Sequence, residues 1–288
     1  MKISGFTFIR NAILYDYPIV ESINSILPIC DEVIVAVGKS DDDTLSLIKS
    51  IDSNKIKIIE TEWDLSLREG GRVLAEETNK AFQEISDDSD WCVYIQGDEV
   101  IHEKYHEIVK DEMKKWRGYQ NVDGLLFKYL HFYGSYSFVG DSRKWYRREI
   151  RVVKNNKNIS SYKDAQGFRL DNKKLKVKEI DAYIYHYGWV KPPELQSAKI
   201  KNFQSHWHKD EWLDKNKPSE SFDYTTIDSL KVFEGDHPQV MQKRINEKNW
   251  SFDFDPTKKK FGIKAKLLYY LEKVTGLRPG EYKNYIKI

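Results

Sequence analysis

The chain has 288 residues, 40% hydrophobic and 32% charged, which excludes intrinsic disorder and allows a sizeable core, with about two domains as a soft prior. A formal net charge of +2 argues against nucleic acid as the main partner, because such domains are usually markedly basic. No run approaches the roughly 20 apolar residues that span a bilayer, and Cys30 and Cys92 lack metal-ligand spacing, so buried free thiols in a reducing compartment are expected.

Ile3 to Ile9 reads as a first strand, ended by Arg10-Asn11. It begins without a charged leader before an apolar stretch, so no signal peptide is expected and a cytoplasmic location is. Ile19, Ile23, Ile26 and Leu27 recur at helical spacing from near Pro18. Glu32 to Val37 is a strand with the run of a buried one, and Asp43 is placed to cap a helix carrying Leu45, Ile48 and Ile51. A third strand covers Lys55 to Ile59. A longer helix follows with Val73, Leu74, Ala81, Phe82 and Ile85 inward, and then a strand from Trp91 to Ile95. This β-α-β-α-β-α-β order predicts right-handed parallel crossovers and a doubly wound sheet. No G-x-G-x-x-G or Walker A motif is present, so a nicotinamide or P-loop site lacks its usual phosphate cradle.

Beyond Gly118 the pattern changes to long strands at Val122 to Phe132, Glu149 to Lys154 and Lys178 to Trp189. Charged helices are expected over Pro193 to Lys215 and Gln239 to Asn249, with Asn216 to Ser221 as the best linker. The last helix, Lys260 to Thr275, carries a stripe of Ile263, Leu267, Tyr270 and Val274, continued by Leu277. From Pro256 onward nine Lys and Arg stand against two Glu, a net +7. The stripe is expected to pack on the core with the lysines in solvent. The competing expectation is peripheral contact of this basic segment with an anionic membrane surface.

The chain is organised around Trp91-Cys92-Val93-Tyr94-Ile95-Gln96-Gly97-Asp98-Glu99-Val100. Its apolar half reads as a strand buried on both faces. The strand stops at Gly97 and presents two adjacent carboxylates where open α/β sheets bind ligands. Hard divalent cations take oxygen ligands, typically one or two carboxylates together with substrate phosphates. A solvated turn capping the helix that starts near Lys104 would read the same way.

FTFIRNAILYDYPIVESINSIL, the EVIVAV strand with its Asp-rich loop, and YIQGDEV resemble the family 2 glycosyltransferases with the GT-A fold, over about Lys2 to Trp189. The resemblance implies a Rossmann-like, mostly parallel sheet flanked by helices, with a helical C-terminal extension. It divides the chain into a catalytic domain, 1–190, with a nucleotide-sugar half (1–100) and an acceptor half (101–190), and an extension, 191–288. It implies transfer of a sugar, with inversion, from a nucleotide-diphosphate sugar to a glycan or lipid-linked acceptor. Mn²⁺ or Mg²⁺ would be held by Asp98, Glu99 and His186, with Asp98 a metal or ribose contact. Arg10, Asn11, Asp41 and Asp64 take the places of base or ribose contacts, and Arg68 and Arg72 those facing the diphosphate. Two features depart from the family pattern: Glu99 adjoins Asp98 instead of lying two residues on, and Gly38-Lys39 stands where an aspartate is expected.

Transfer also needs a base for the acceptor hydroxyl. Asp164, in a polar loop, is the first candidate, with Glu149 and Asp141 behind it. A sugar-phosphate nucleotidyltransferase shares the sheet and the metal but usually opens with a Gly-rich basic loop, which Ile9-Arg10-Asn11-Ala12 is not. A non-catalytic glycan- or partner-binding relative would have no use for Asp98, Glu99 and His186 together.

Overall fold

The computed structural model describes residues 1–288. The elements β1 (Ile3–Ile9), α1 (Ile19–Ile26), β2 (Glu32–Gly38), α2 (Thr44–Lys49), β3 (Ile56–Thr61), α3 (Arg72–Gln83) and β4 (Trp91–Tyr94) alternate as expected. β1 pairs in parallel with both β2 and β4, and β2 with β3. The spatial order is therefore 3-2-1-4, and the crevice at the carboxyl ends of β1 and β4 is the switch point of the sheet. Trp91, Val93 and Ile95 pack with Ile19, Ile23 and Ile26 on one face. Cys92 and Tyr94 pack with Val73, Ala81 and Phe82 on the other. Helices on both faces explain the unbroken apolar run of β4. Asp43 holds the N-cap position of α2 as expected, but the side chain that accepts from the Thr44 amide, at 3.0 Å, is that of Asp42.

After Gly97 the chain enters β5 (Glu99–Ile101), a strand that the sequence read as a turn, and then α4 (His106–Trp116). The long strands are β6 (Gly124–Tyr133), β8 (Arg148–Lys154) and β12 (Lys176–Trp189), with the shorter β7 (Ser135–Gly140), β9 (Ile159–Tyr162), β10 (Gly167–Leu170) and β11 (Lys173–Lys174) between them. β8 joins the sheet antiparallel to β4 and to β6, so the sheet is parallel in its first half and mixed beyond. β12 runs parallel to β6 and antiparallel to β5, which sets His186 opposite Glu99. Helices thus flank the central sheet on both faces, as the resemblance implies.

The C-terminal third holds α5 (Pro193–Ser205), α6 (Asp210–Lys215), β13 (Leu230–Val232), α7 (Gln242–Asn246), α8 (Ile263–Thr275) and β14 (Ile286–Lys287). The charged helical stretch expected over Pro193 to Lys215 is made of α5 and α6. β13 pairs with β7 and β14 with β12, so this segment adds two strands to the main sheet. No helix is long and apolar enough to cross a membrane.

A buried ion pair ties the halves together. Arg151 on β8 donates from Nε and Nη2 to the two oxygens of Glu99, both at 2.7 Å, and the Tyr129 hydroxyl of β6 donates to Oε1 at 2.7 Å. Both charged side chains are buried. Removing one member of such a pair strands the other charge. Arg151→Met is therefore expected to cost about 3–5 kcal/mol in urea unfolding, and a loss below about 1 kcal/mol would contradict this role.

Candidate active site

A cleft of about 630 Å³ opens at the carboxyl ends of β1 and β4, walled by β8, β12, α5 and the segment after α8. Asp98, directly after β4, lines it. The sequence placed this carboxylate on the surface, but it is 8% exposed. Its Oδ2 accepts from Lys199 Nζ of α5 at 2.8 Å, and the same ammonium donates to the Gly188 carbonyl at 2.9 Å. Burial alone would raise the Asp98 pKa, but the Lys199 ammonium beside it holds it well below the usual carboxylate range.

His186 faces Asp98, with Nε2 3.7 Å from Oδ1. Its other nitrogen, Nδ1, lies 3.2 Å from Nδ1 of His131, and His131 Nε2 lies 2.8 Å from the Tyr146 carbonyl. A carbonyl only accepts, so His131 donates from Nε2. Burial pushes His131 well below its ordinary pKa, so the ring is neutral and its Nδ1 accepts. His186 must then donate from Nδ1, and because burial pushes its pKa below the ordinary value, the ring is neutral and its Nε2 lone pair faces the Asp98 carboxylate. A lone pair facing an anion calls for a cation between them. Gly188 keeps that space open, since a Cβ there would lie 2.6 Å from Asp98 Oδ2 and 2.7 Å from His186 Nε2.

Asp98 and His186 therefore fit a divalent cation, of the kind that completes its shell with phosphate oxygens and water. Glu99 does not fit. It belongs to β5, and Arg151 and Tyr129 take its two oxygens beneath the cleft, so it holds the turn and is not a ligand. No three His, Cys, Asp or Glu side chains gather into a closed metal site.

Of the other candidates, Arg10, Asn11, Glu149 and Asp164 line the cleft, whereas Asp41, Asp64, Arg68 and Arg72 do not. Asn11 adopts a positive φ of 54° and binds the Asp41 backbone and side chain at 2.7 and 2.9 Å. Asp41 thus clamps two loops together. Asp64 caps the turn Leu65–Leu67, Arg68 pairs with Asp210 at 2.9 Å, and Arg72 is exposed at the start of α3. Asp141 is committed to Lys259, Lys273 and Tyr269. Asp164 sits on the β9–β10 turn and accepts from Gln166 at 2.8 Å. Glu149, on β8, has an Oε2 that is buried without a hydrogen-bond partner. Burial pushes its carboxyl up to about 7 against the opposing pull of Arg151.

Sequence reading missed Lys199, His131 and Lys191. Lys191 Nζ is buried and donates to the Tyr15 and Asp16 carbonyls, fixing the loop after β1. Nothing in a charged helix singles out Lys199, and His131 lies mid-strand. The far end of the cleft holds Trp63 and His206, ring centroids 5.3 Å apart, whose Nε1 and Nδ1 are buried and unpaired. The Arg10 guanidinium lies 5.7 Å from the Trp63 ring centroid.

No family model matches the chain, and no curated protein matches it. Among solved structures it is similar to S. aureus TarS 1-349 in complex with UDP, at 16% identity over 72% of this chain and 65% of that chain, with a TM-score of 0.41. It spans 39% of a longer TarS chain, at 19% identity over 70% of its own length and a TM-score of 0.42. It is also similar to Mycobacterium tuberculosis glucosyl-3-phosphoglycerate synthase with Mn²⁺, UDP and glucosyl-3-phosphoglycerate, at 18% identity over 46% and 45% of the two chains and a TM-score of 0.31.

Because His131 sets the tautomer of His186, His131→Phe is expected to weaken Mn²⁺ binding about 10–100-fold, followed by electron paramagnetic resonance of free Mn²⁺. Asp98→Asn should abolish that binding, and it should also lower the melting temperature by leaving Lys199 unpaired. Parental Mn²⁺ affinity in His131→Phe would refute the tautomer assignment.

Proposed function

We propose that the protein is a glycosyltransferase that moves a sugar from a nucleotide-diphosphate sugar to a hydroxyl of a glycan or lipid-linked acceptor, with inversion. The observation that carries this reading is the Asp98–His186 pair facing across a space kept open by Gly188, at the switch point of the sheet. The nucleoside lies toward Arg10, Trp63 and His206, where an aromatic pair with unpaired polar atoms suits a base. The diphosphate lies over Asp98. A bound Mg²⁺ or Mn²⁺ would supply Lewis-acid stabilisation of the departing diphosphate there, and Lys199 adds a fixed positive charge beside it.

Glu149 is the base in this reading. The acceptor oxygen bonds to the anomeric carbon as the bond from that carbon to the phosphate oxygen breaks. The hydroxyl proton passes to the Glu149 carboxylate, and the nucleoside diphosphate leaves. A carboxylate tuned near neutrality is matched to that task. Asp164 stays on the rim, orienting Gln166.

A nucleotide panel tests the class. Nucleoside diphosphates with Mn²⁺ should raise the melting temperature, and a response confined to triphosphates would reject sugar transfer. The rate with a responding donor should climb with pH through about 7 as Glu149 deprotonates. Glu149→Gln should lose about 10²–10⁴-fold, and with it the rise, while Asp164→Asn keeps both.

The same shift has a stability sign. Folding raises Glu149 from its ordinary 4.5 to about 7, so it favours the protonated form, and its contribution is lost as pH rises through that window. Glu149→Gln should therefore match the parent near pH 4 and exceed it at pH 8 by about 2 kcal/mol, discounting the full 1.4 kcal/mol per unit for partial exposure. Equal stability at both pH values would show that the group is not perturbed.

A further inference from the structure

The C-terminal helix α8 is packed inside out. A surface helix of a soluble protein turns its apolar stripe to the core and its charges to water. Here the polar side is the one that packs. Tyr269 and Lys273 bind the Asp141 carboxylate at 2.5 and 2.7 Å. Glu272 pairs with Arg143, Arg147 and Arg278 at 3.2, 3.4 and 3.2 Å. The apolar side has nothing against it: Ile263, Leu267 and Val274 are 83%, 70% and 85% exposed, and Tyr270, Leu271 and Leu277 are exposed with them. At about 100° per residue, the five of these within the helix fall in an arc of roughly 100°. Lys264 and Lys266 flank that arc on either side, and both are exposed. The expectation that the stripe packs on the core is thereby overturned.

We propose that this face of α8 lies flat in the interface of an anionic lipid bilayer. The choice of occupant rests on charge. The stripe is bordered by lysines on both long edges, within a segment of net +7, and this suits acyl chains beneath and anionic headgroups beside. A second copy of the chain would bring the same cations together. At 13 residues the helix is about 20 Å long, enough to lie in the interface and too short to cross. Arg278 to Tyr282, directly after α8, contribute to the cleft wall. Docking would therefore set the cleft mouth beside the lipid surface and, where the glycosyl-transfer reading holds, present it to a lipid-linked acceptor.

Sedimentation of the full chain with vesicles of equal phosphatidylcholine and phosphatidylglycerol tests this without any turnover assay. The protein should pellet at low salt, be released at high salt, and stay in the supernatant with phosphatidylcholine alone. Leu267→Glu with Val274→Glu, and separately Lys264→Glu with Lys266→Glu, should each weaken binding about tenfold or more. These side chains face solvent, so the variants should keep the parental melting temperature. No pelleting with anionic vesicles at low salt overturns the proposal, as does equal binding to neutral vesicles. A concentration-dependent dimer that the first double variant dissolves, without vesicle binding, would assign the face to a second copy and overturn it too. Vesicle binding by a protein that no nucleotide stabilises would keep this inference and sink the glycosyl-transfer reading instead.

Discussion

The buried pair between Glu99 and Arg151 is the constraint on which the site rests. Glu99 also accepts from the Gln96 amide at 3.2 Å, so one carboxylate fixes the turn after β4, the strand β8 and, through Tyr129, the strand β6. The Arg151 guanidinium lies 5.2 and 5.4 Å from the Tyr94 and Tyr129 ring centroids, which encloses it. Two charges taken out of water are costly unless geometry and hydrogen bonds are complete, and here both carboxylate oxygens are engaged. The consequence is positional. With Glu99 anchored beneath the sheet, the neighbouring Asp98 is held at the cleft.

Much of this was legible in the sequence, and the division between the legible and the hidden has a physical basis. β1, β2 and β4 are covered on both faces, so burial leaves continuous apolar runs. Asp98 follows a strand of that kind, whereas His186 lies within the half-covered β12 and was named through the family resemblance. The strand β5 was not foreseen because it spans only Glu99–Ile101 and takes its register from β12, nearly ninety residues on. No local pattern encodes such a pairing. The same applies to Arg68 and Arg72: their spacing fits an anion site, but Asp210, far along the chain, claims the first and solvent the second. Lys199 was invisible because a lysine in a charged helix carries no sign of whether it faces water or a buried aspartate.

The segment after Trp189 is more than an appendage. Lys191 fixes the loop after β1, Lys199 pairs with Asp98, His206 closes the far end, and Arg278 to Tyr282 line the mouth. Asp98 and Trp63, both from the first half, thus meet a cation and an aromatic ring supplied from the last hundred residues. The parallel half carries the switch point of the sheet, and the last hundred residues close the cleft around it.

The unpaired polar atoms complete the picture. Trp63 Nε1, Glu149 Oε2 and His206 Nδ1 are all buried, all without partners, and all in residues that line one cleft. Each unmet group of this kind costs about 1–3 kcal/mol, and native folds leave few of them. These three share the cleft with Asp98 and His186, where the strand order reverses, while other unpaired atoms, among them His102 Nε2, Asn155 Oδ1 and Asp228 Oδ1, lie outside it. Within the cleft they offer a donor at Trp63, an acceptor at Glu149 and a ring nitrogen at His206, and that mixture sets the hydrogen-bonding character of its wall.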